Sequence, residues 1–195
     1  MSFGTVIPVT GLNLSFPGTV SRLGERVIAS RKVLLTATAN ISFGEAVVII
    51  PGTTDGFGGG DSYQSVANFI AGGGTMTAAL FKGVAVRNVK TLLQYQSLGN
   101  NGSVAQVGSF APGEMGEALE RGSITVTINV GTPASQGQVY LRIAPNGAIP
   151  AGVVGGFEAA ADGANTVLLT GVVFRTGAMD ANRTAEITML NRVGA

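Results

Sequence analysis

The sequence predicts an all-β protein, with a β-sandwich or jelly-roll-like body, an extended N-terminal arm and glycine-rich loops. Three observations support this fold class. Short runs of β-branched and apolar residues recur along the chain, turn residues separate them (30 Gly and 7 Pro in 195 residues), and no long stretch has helical periodicity. No repeat of fixed period is present, which argues against a solenoid or a propeller.

The N-terminal arm is predicted to comprise residues 1–32. Pro and Gly alternate there with isolated large apolar residues, a pattern that suits an extended segment lying on another surface. Two interpretations remain open: an arm that docks on a partner, or an edge strand packed on its own body. For docking, the candidate contact residues are Phe3, Ile7, Leu12, Leu14 and Phe16, together with Arg22 and Arg26 from the basic cluster formed by Arg22, Arg26, Arg31 and Lys32.

The body is predicted to comprise residues 33–195 and to consist of short strands. The clearest is 123–130, because polar and apolar residues alternate there almost perfectly. Pro51 and Gly52 are expected to end the second strand, and residues 180–182 to form a hairpin turn. A short helix is expected within residues 112–122, opened by Pro and closed by Gly. The full set of expected strands is 33–38, 46–50, 79–93, 123–130, 138–143, 166–174 and 184–190.

The composition argues against catalysis. The chain has no Cys and no His, so thiolate, serine-triad and zinc-protease mechanisms each lack a required group. Glu114, Glu117 and Glu120 would share one face of a helix, but a solvated turn explains them better. The glycine-rich loop 56–60 lacks the Lys and Ser/Thr of a phosphate-binding loop, and residues 180–182 lack the glycine and glutamate of a calcium loop. The sequence therefore predicts no enzyme, no cofactor and no metal site.

The chain is unusually poor in charge. Charged residues make up 12% of it, about half of the ~25% typical of soluble domains, and the mean hydropathy is +0.38. Such a chain either spans a membrane or covers much of its surface with neighbouring subunits. No stretch offers the roughly 20 uninterrupted apolar residues of a spanning helix, so the second reading is favoured. The net charge of +1 provides no broad field for nucleic acid, and the start lacks the pattern of a secretory signal.

Several strings of the sequence, taken in order, form a recognisable series. It begins with Phe-Pro-Gly-Thr-Val-Ser-Arg at 16–22 and includes Phe-Lys-Gly-Val-Ala-Val-Arg at 81–87. The remaining members are 41–48, 112–114, 121–126, 137–142, 174–177 and 185–187. In their order and spacing these strings resemble the structural cement, or head decoration, proteins of tailed bacteriophages. The resemblance covers most of the chain from residue 16 onwards.

This resemblance implies a structural function. It implies a β-rich body on the outer surface of the icosahedral head of the virion, which binds the major capsid protein, bridges its neighbouring subunits and self-associates as a dimer or trimer. It brings no catalytic residue, and it implies synthesis in the host cytoplasm. Two alternatives remain: another virion component such as a tail-tube subunit, or a host-adhesion or carbohydrate-binding β-domain. The latter is poorly supplied with aromatic platforms, because the chain has no Trp and three Tyr.

Overall fold

The computed structural model describes residues 15–22, 24–53, 60–88 and 108–191. Within these ranges, strands dominate and the single α-helix has six residues, which confirms the all-β class. The strands are β1 Val27–Lys32, β2 Ile41–Ser42, β3 Ala46–Thr53, β4 Gly60–Ser65, β5 Phe81–Ala85, β6 Ser109–Phe110, β7 Met115–Val130, β8 Gln138–Arg142, β9 Phe157–Glu158, β10 Thr166–Met179 and β11 Thr184–Met189; helix α1 is Val66–Ala71, and 3-10 turns lie at Ala78–Leu80 and Gly163–Asn165.

Five strands close into a first barrel. β11 lies antiparallel to both β7 and β10, β10 pairs with β8, β8 pairs with β9, and β9 returns parallel to β7. Alternate residues of the second half of β7, Ile124, Val126 and Ile128, are fully buried in its core. This alternation follows from the two-residue period of a strand. On the other face, Ser123 and Thr125 are also buried, and their hydroxyls bond to Thr188 and to the Phe16 carbonyl.

A second barrel shares strand β7 with the first. The first half of β7 pairs with β1 on one side and β5 on the other, and β3 joins β5 to β4. The circuit closes where Val33 bridges to Tyr63 and the Leu34 amide donates to the Tyr63 carbonyl (2.9 Å). A separate apolar cluster fills this barrel, built from Val33, Ile41, Val47, Tyr63, Ala85, Phe110 and Ala118.

Strand β7 therefore has a core on each face in its first half. Ala118 packs in the second barrel, whereas its neighbour Leu119 packs in the main core. The strand passes from one barrel to the other at Gly122, which has a φ of +118°. β5 crosses β7 very closely at Gly83: a Cβ on this residue would lie 2.3 Å from the Leu119 carbonyl oxygen, and its φ of +140° also requires glycine.

The described part of the predicted arm is bonded to the body. Gly18 donates to the Thr125 carbonyl (2.7 Å), Thr125 donates back to Thr19 (3.0 Å), and Ser21 donates to Ser123 (3.0 Å). Residues 27–32 form strand β1, so this stretch packs on its own body. Residues 1–14 lie outside the described residues, and the division into arm 1–32 and body 33–195 stays a prediction.

Two predicted elements are wrong. The strand expected at 33–38 lies earlier in the chain, as β1. Of the expected run only Val33 continues the pairing, and the Ala37 amide donates to the Leu34 carbonyl in a turn (3.1 Å). The helix expected within 112–122 is strand β7 from Met115 onwards, because pairing with β1 and β5 outweighs the local helix signals.

Other boundaries also differ from expectation. β3 continues through Pro51 and Gly52 to Thr53, at a register irregularity that tolerates proline. The strand predicted at 79–93 is β5, with five residues, and positions 89–93 lie outside the described residues. The expected strands at 123–130, 138–143, 166–174 and 184–190 correspond to β7, β8, β10 and β11. The predicted turn at 180–182 is confirmed, with the Asp180 carboxylate accepting from two following amides.

Candidate interaction surface

The described residues contain no cluster of three or more His, Cys, Asp or Glu side chains that could hold a metal ion. Their helical segments include none long and apolar enough to cross a membrane. The three glutamates considered in the sequence do not converge: Glu114 lies in a turn with its carboxylate on the Ala111 amide (2.7 Å). Glu117 and Glu120 lie on strand β7 with a register irregularity at Glu120, and Glu120 is buried whereas Glu117 is partly exposed.

A buried charged group, the Arg142 cluster, consists of Arg142, Glu158, Asp162, Asn146 and Asn165. The fully buried guanidinium donates to both carboxylate oxygens of Glu158 (Nη2 to Oε2, 2.9 Å) and from Nη1 to Asp162 (2.8 Å). Asp162 also accepts from Asn146 (2.9 and 3.0 Å) and Asn165 (3.3 Å). Hydrogen bonds from Asn146, the larger effect, and from Arg142 lower the pKa of Asp162. The hydrogen bonds to Glu158 raise the pKa of Arg142.

The Arg142 cluster fixes the long connection between β8 and β10. Arg142 also donates to the Ala144 carbonyl (3.3 Å), and a Cβ at Gly152 would lie 2.2 Å from its Nε, so the backbone there lies against the guanidinium. A fully buried ion pair in which all three guanidinium nitrogens are hydrogen-bonded has no access to a substrate. Its role is structural: it holds residues 144–165 in one conformation.

A second ion pair, the Arg22–Glu186 clasp, ties the N-terminal segment to β11. Arg22 donates from Nε and Nη2 to the two Glu186 oxygens (2.8 and 3.1 Å), and Ser21 Oγ donates to one of them (2.7 Å). Burial alone would raise the pKa of Glu186. The bonds from Arg22 and Ser21 and the nearby charge of Arg175 outweigh it, so the pKa is lowered.

The outer face of β1 and β7 carries an exposed apolar strip, which we define as Ile28, Leu35 and Met115. Ile28 and Lys32 lie on the same face of β1, and Met115 is the cross-strand partner of Lys32. Leu35 follows β1 and lies beside the turn that leads into β7, where a Cβ at Gly113 would lie 3.1 Å from its Cδ1. The strip residues are 37%, 55% and 62% exposed, respectively.

An aromatic–arginine stack lies at the base of the arm. The Arg87 guanidinium lies 4.8 Å from the Phe16 ring centroid and 5.9 Å from that of Phe43. Phe16 is 58% exposed, and its carbonyl accepts from Thr125 Oγ1 (2.6 Å). The Arg87 amide donates to the Gly18 carbonyl (2.7 Å), so the backbone fixes this stack at two points.

Beside the stack lies a cleft of about 260 Å³, with Pro17 and Phe43 in its wall. The turn between β2 and β3, the start of α1 and residues 153–157 complete it. Glu45 also lines the cleft; its carboxylate accepts from the Ser42 amide (2.9 Å), and burial raises its pKa.

The structure describes three of the seven contact residues predicted from the sequence. Phe16 is exposed in the stack, Arg22 is engaged by its own Glu186, and Arg26 is exposed next to Gly122. The other four, Phe3, Ile7, Leu12 and Leu14, lie outside the described residues. Sequence reasoning missed the strip and Arg87: Met115 was assigned to a helix and Leu35 to a strand, and nothing local to Arg87 indicates its two aromatic neighbours.

Comparison with known proteins gives a family and a fold. Residues 4–189 match the model of the XM1 gp53 minor capsid protein family. Among solved structures, a chain from "The capsid of Myoviridae Phage XM1" has 15% sequence identity and a TM-score of 0.54, covering 98% of this chain and 99% of that one. None of the curated proteins matches. Because the family match spans nearly the whole chain, this protein belongs to the XM1 gp53 minor capsid protein family and is a structural component of a phage capsid.

Proposed function

We propose that this capsid protein is a cement protein, which binds the outer surface of the phage head and bridges neighbouring major capsid subunits. The observation that carries the proposal is the exposed strip of Ile28, Leu35 and Met115 on a low-charge molecule. Exposed apolar residues of this size are typical of a surface that a partner covers.

The fold supports a stabilising function. Ile28 and Met115 belong to two paired strands, β1 and β7, and Leu35 to the turn after β1, so little ordering entropy is lost by the two strand residues on docking. Many identical copies on a head would multiply a modest contact into a large stabilisation. The protein acts by binding, without catalysis, and self-association as a dimer or trimer would place several strips on one capsid site.

The arm extends this contact. Phe3, Ile7, Leu12 and Leu14 would add apolar area beyond Phe16, while Arg22 and Arg26 flank its base. Deleting residues 1–14 is expected to weaken capsid binding and to leave the folded body unchanged, as measured by co-sedimentation with heads and by circular dichroism. Undiminished binding would remove the arm from the interface.

The proposal is tested with phage heads that lack this protein. Wild-type protein is expected to co-sediment with heads and to raise the temperature at which they release DNA. Leu35→Ser with Met115→Ser should weaken binding about tenfold or more, since two exposed anchors lose their apolar contact.

A matched control is available on the first barrel. Leu190 is comparably exposed, at 49%, and directly follows β11, whose last residue Met189 pairs with Gly122, seven residues along β7 from Met115. Leu190→Ser should bind heads like wild type. Equal loss in both variants would show a general effect of surface polarity, and wild-type protein that leaves heads unbound and unstabilised would refute the cement function.

A further inference from the structure

We propose that Arg87, held between Phe16 and Phe43, is the docking point for an Asp or Glu side chain of a neighbouring major capsid subunit. This inference rests on the proposed cement function and assigns it a specific polar anchor. The two ring distances of 4.8 and 5.9 Å place the guanidinium within cation–π range of both aromatic faces.

The stack prepares Arg87 for a carboxylate. A guanidinium binds carboxylates through two parallel N–H bonds in its own plane. Within the described residues, no side-chain N–H of Arg87 is already hydrogen-bonded. Held by two rings, the side chain also loses less rotamer freedom on binding. Arginine and exposed aromatic residues are the types that most often dominate the energy of protein interfaces.

Unlike four other arginines of the described chain, Arg87 has no acceptor for its guanidinium. Arg22 binds Glu186, Arg31 binds Asp61, Arg121 binds Glu25, and Arg142 binds Glu158. Among the described residues, the Arg87 side chain takes part in no hydrogen bond and no ion pair, although it is exposed. Within the described residues no ion pair therefore offsets its positive charge, and an acidic partner would supply one.

The neighbouring cleft restricts how the partner approaches. Phe43 contacts Arg87 and also lines the cleft, so the two features form one surface. At about 260 Å³ the cleft is below the size of ordinary small-molecule pockets and suits an apolar side chain. Glu45 in its wall would repel a second carboxylate, so the acidic group belongs over Arg87 and an apolar neighbour belongs in the cleft.

The experiment measures head binding by full-length variants at several salt concentrations. Arg87→Gln is expected to weaken binding about tenfold and to flatten its salt dependence. Arg87→Lys keeps the charge but lacks the planar fork, so it should bind with intermediate affinity. Arg175→Gln, an exposed arginine of β10, removes the same charge elsewhere and is expected to bind like wild type.

The outcomes separate this inference from the proposed function. Wild-type binding with an unaffected Arg87→Gln variant would overturn the Arg87 docking point and leave the cement function standing. Equal losses in Arg87→Gln and Arg175→Gln would also overturn it, since net charge alone would then explain the effect. Failure of the wild-type protein to bind heads would refute both. Circular dichroism melts of each variant exclude loss of fold as the cause of weak binding.

Discussion

Replacing Arg142 with Met is expected to be the most destabilising single change in the Arg142 cluster. The substitution removes three side-chain bonds to carboxylates and one to the Ala144 carbonyl, and leaves the fully buried Glu158 without a counter-ion. Removing one partner of a buried ion pair costs about 3–5 kcal/mol. For a chain of this length that loss lowers the melting temperature by about 6–20 °C.

The assay is urea unfolding followed by circular dichroism, with midpoint and slope fitted for each variant. Arg121→Met is the matched control, because its ion pair with Glu25 is exposed on both sides and is expected to contribute about 0–1 kcal/mol. A free energy of unfolding for Arg142→Met within about 1 kcal/mol of the wild-type value would refute the reasoning.

A double variant separates the two causes of the loss. Arg142→Met combined with Glu158→Leu leaves no unpaired charge at that pair, while Asp162 keeps its bonds from Asn146 and Asn165. The double variant should recover at least half of the stability lost by the single variant. A double variant no more stable than Arg142→Met would show that packing, rather than the orphaned carboxylate, sets the cost.

Two further predictions follow from other contacts. The Arg22–Glu186 clasp lowers the pKa of Glu186 in the folded state. Its stabilising effect is therefore present above the unfolded-state pKa and is lost as the pH falls through the lowered one. The free energies of unfolding of wild type and Arg22→Met should differ at pH 7 and converge in acid, and a constant difference would contradict this. Gly83→Ala should destabilise by at least about 2 kcal/mol because of its positive φ and its contact with a β7 carbonyl. Gly24→Ala, with open space around it, should leave the melting temperature unchanged. Thermal melts of both glycine variants measure these effects.

The strand that sequence reasoning predicted best is the one in which polar and apolar residues alternate. In residues 123–130 the apolar side chains face the core of the first barrel, and Ser123 and Thr125 on the other face are buried with their hydroxyls hydrogen-bonded. The first half of β7 escaped prediction because it has a core on each face: Ala118 and Leu119 are both fully buried, and the alternation disappears. With no period to guide it, the flanking Pro and Gly suggested a helix.

The candidate surface was predicted only in part, because several of its contacts join residues that are distant in sequence. Exposed apolar character at Phe16 can be expected from an isolated aromatic residue among Pro and Gly. The acid that engages Arg22 is 164 residues away in sequence, and the rings that hold Arg87 come from segments far from it and from each other. Such pairs are set by strand register, which a single sequence does not specify.

The long strand common to both barrels has a mechanical consequence. β7 has 16 residues, about 53 Å at the usual rise, and its partners lie on opposite ends of that length. Because ladder bonds run perpendicular to the strand, a lengthwise pull between the barrels loads many of them in shear simultaneously. The direction along β7 is therefore expected to be the one in which the molecule best resists being pulled apart.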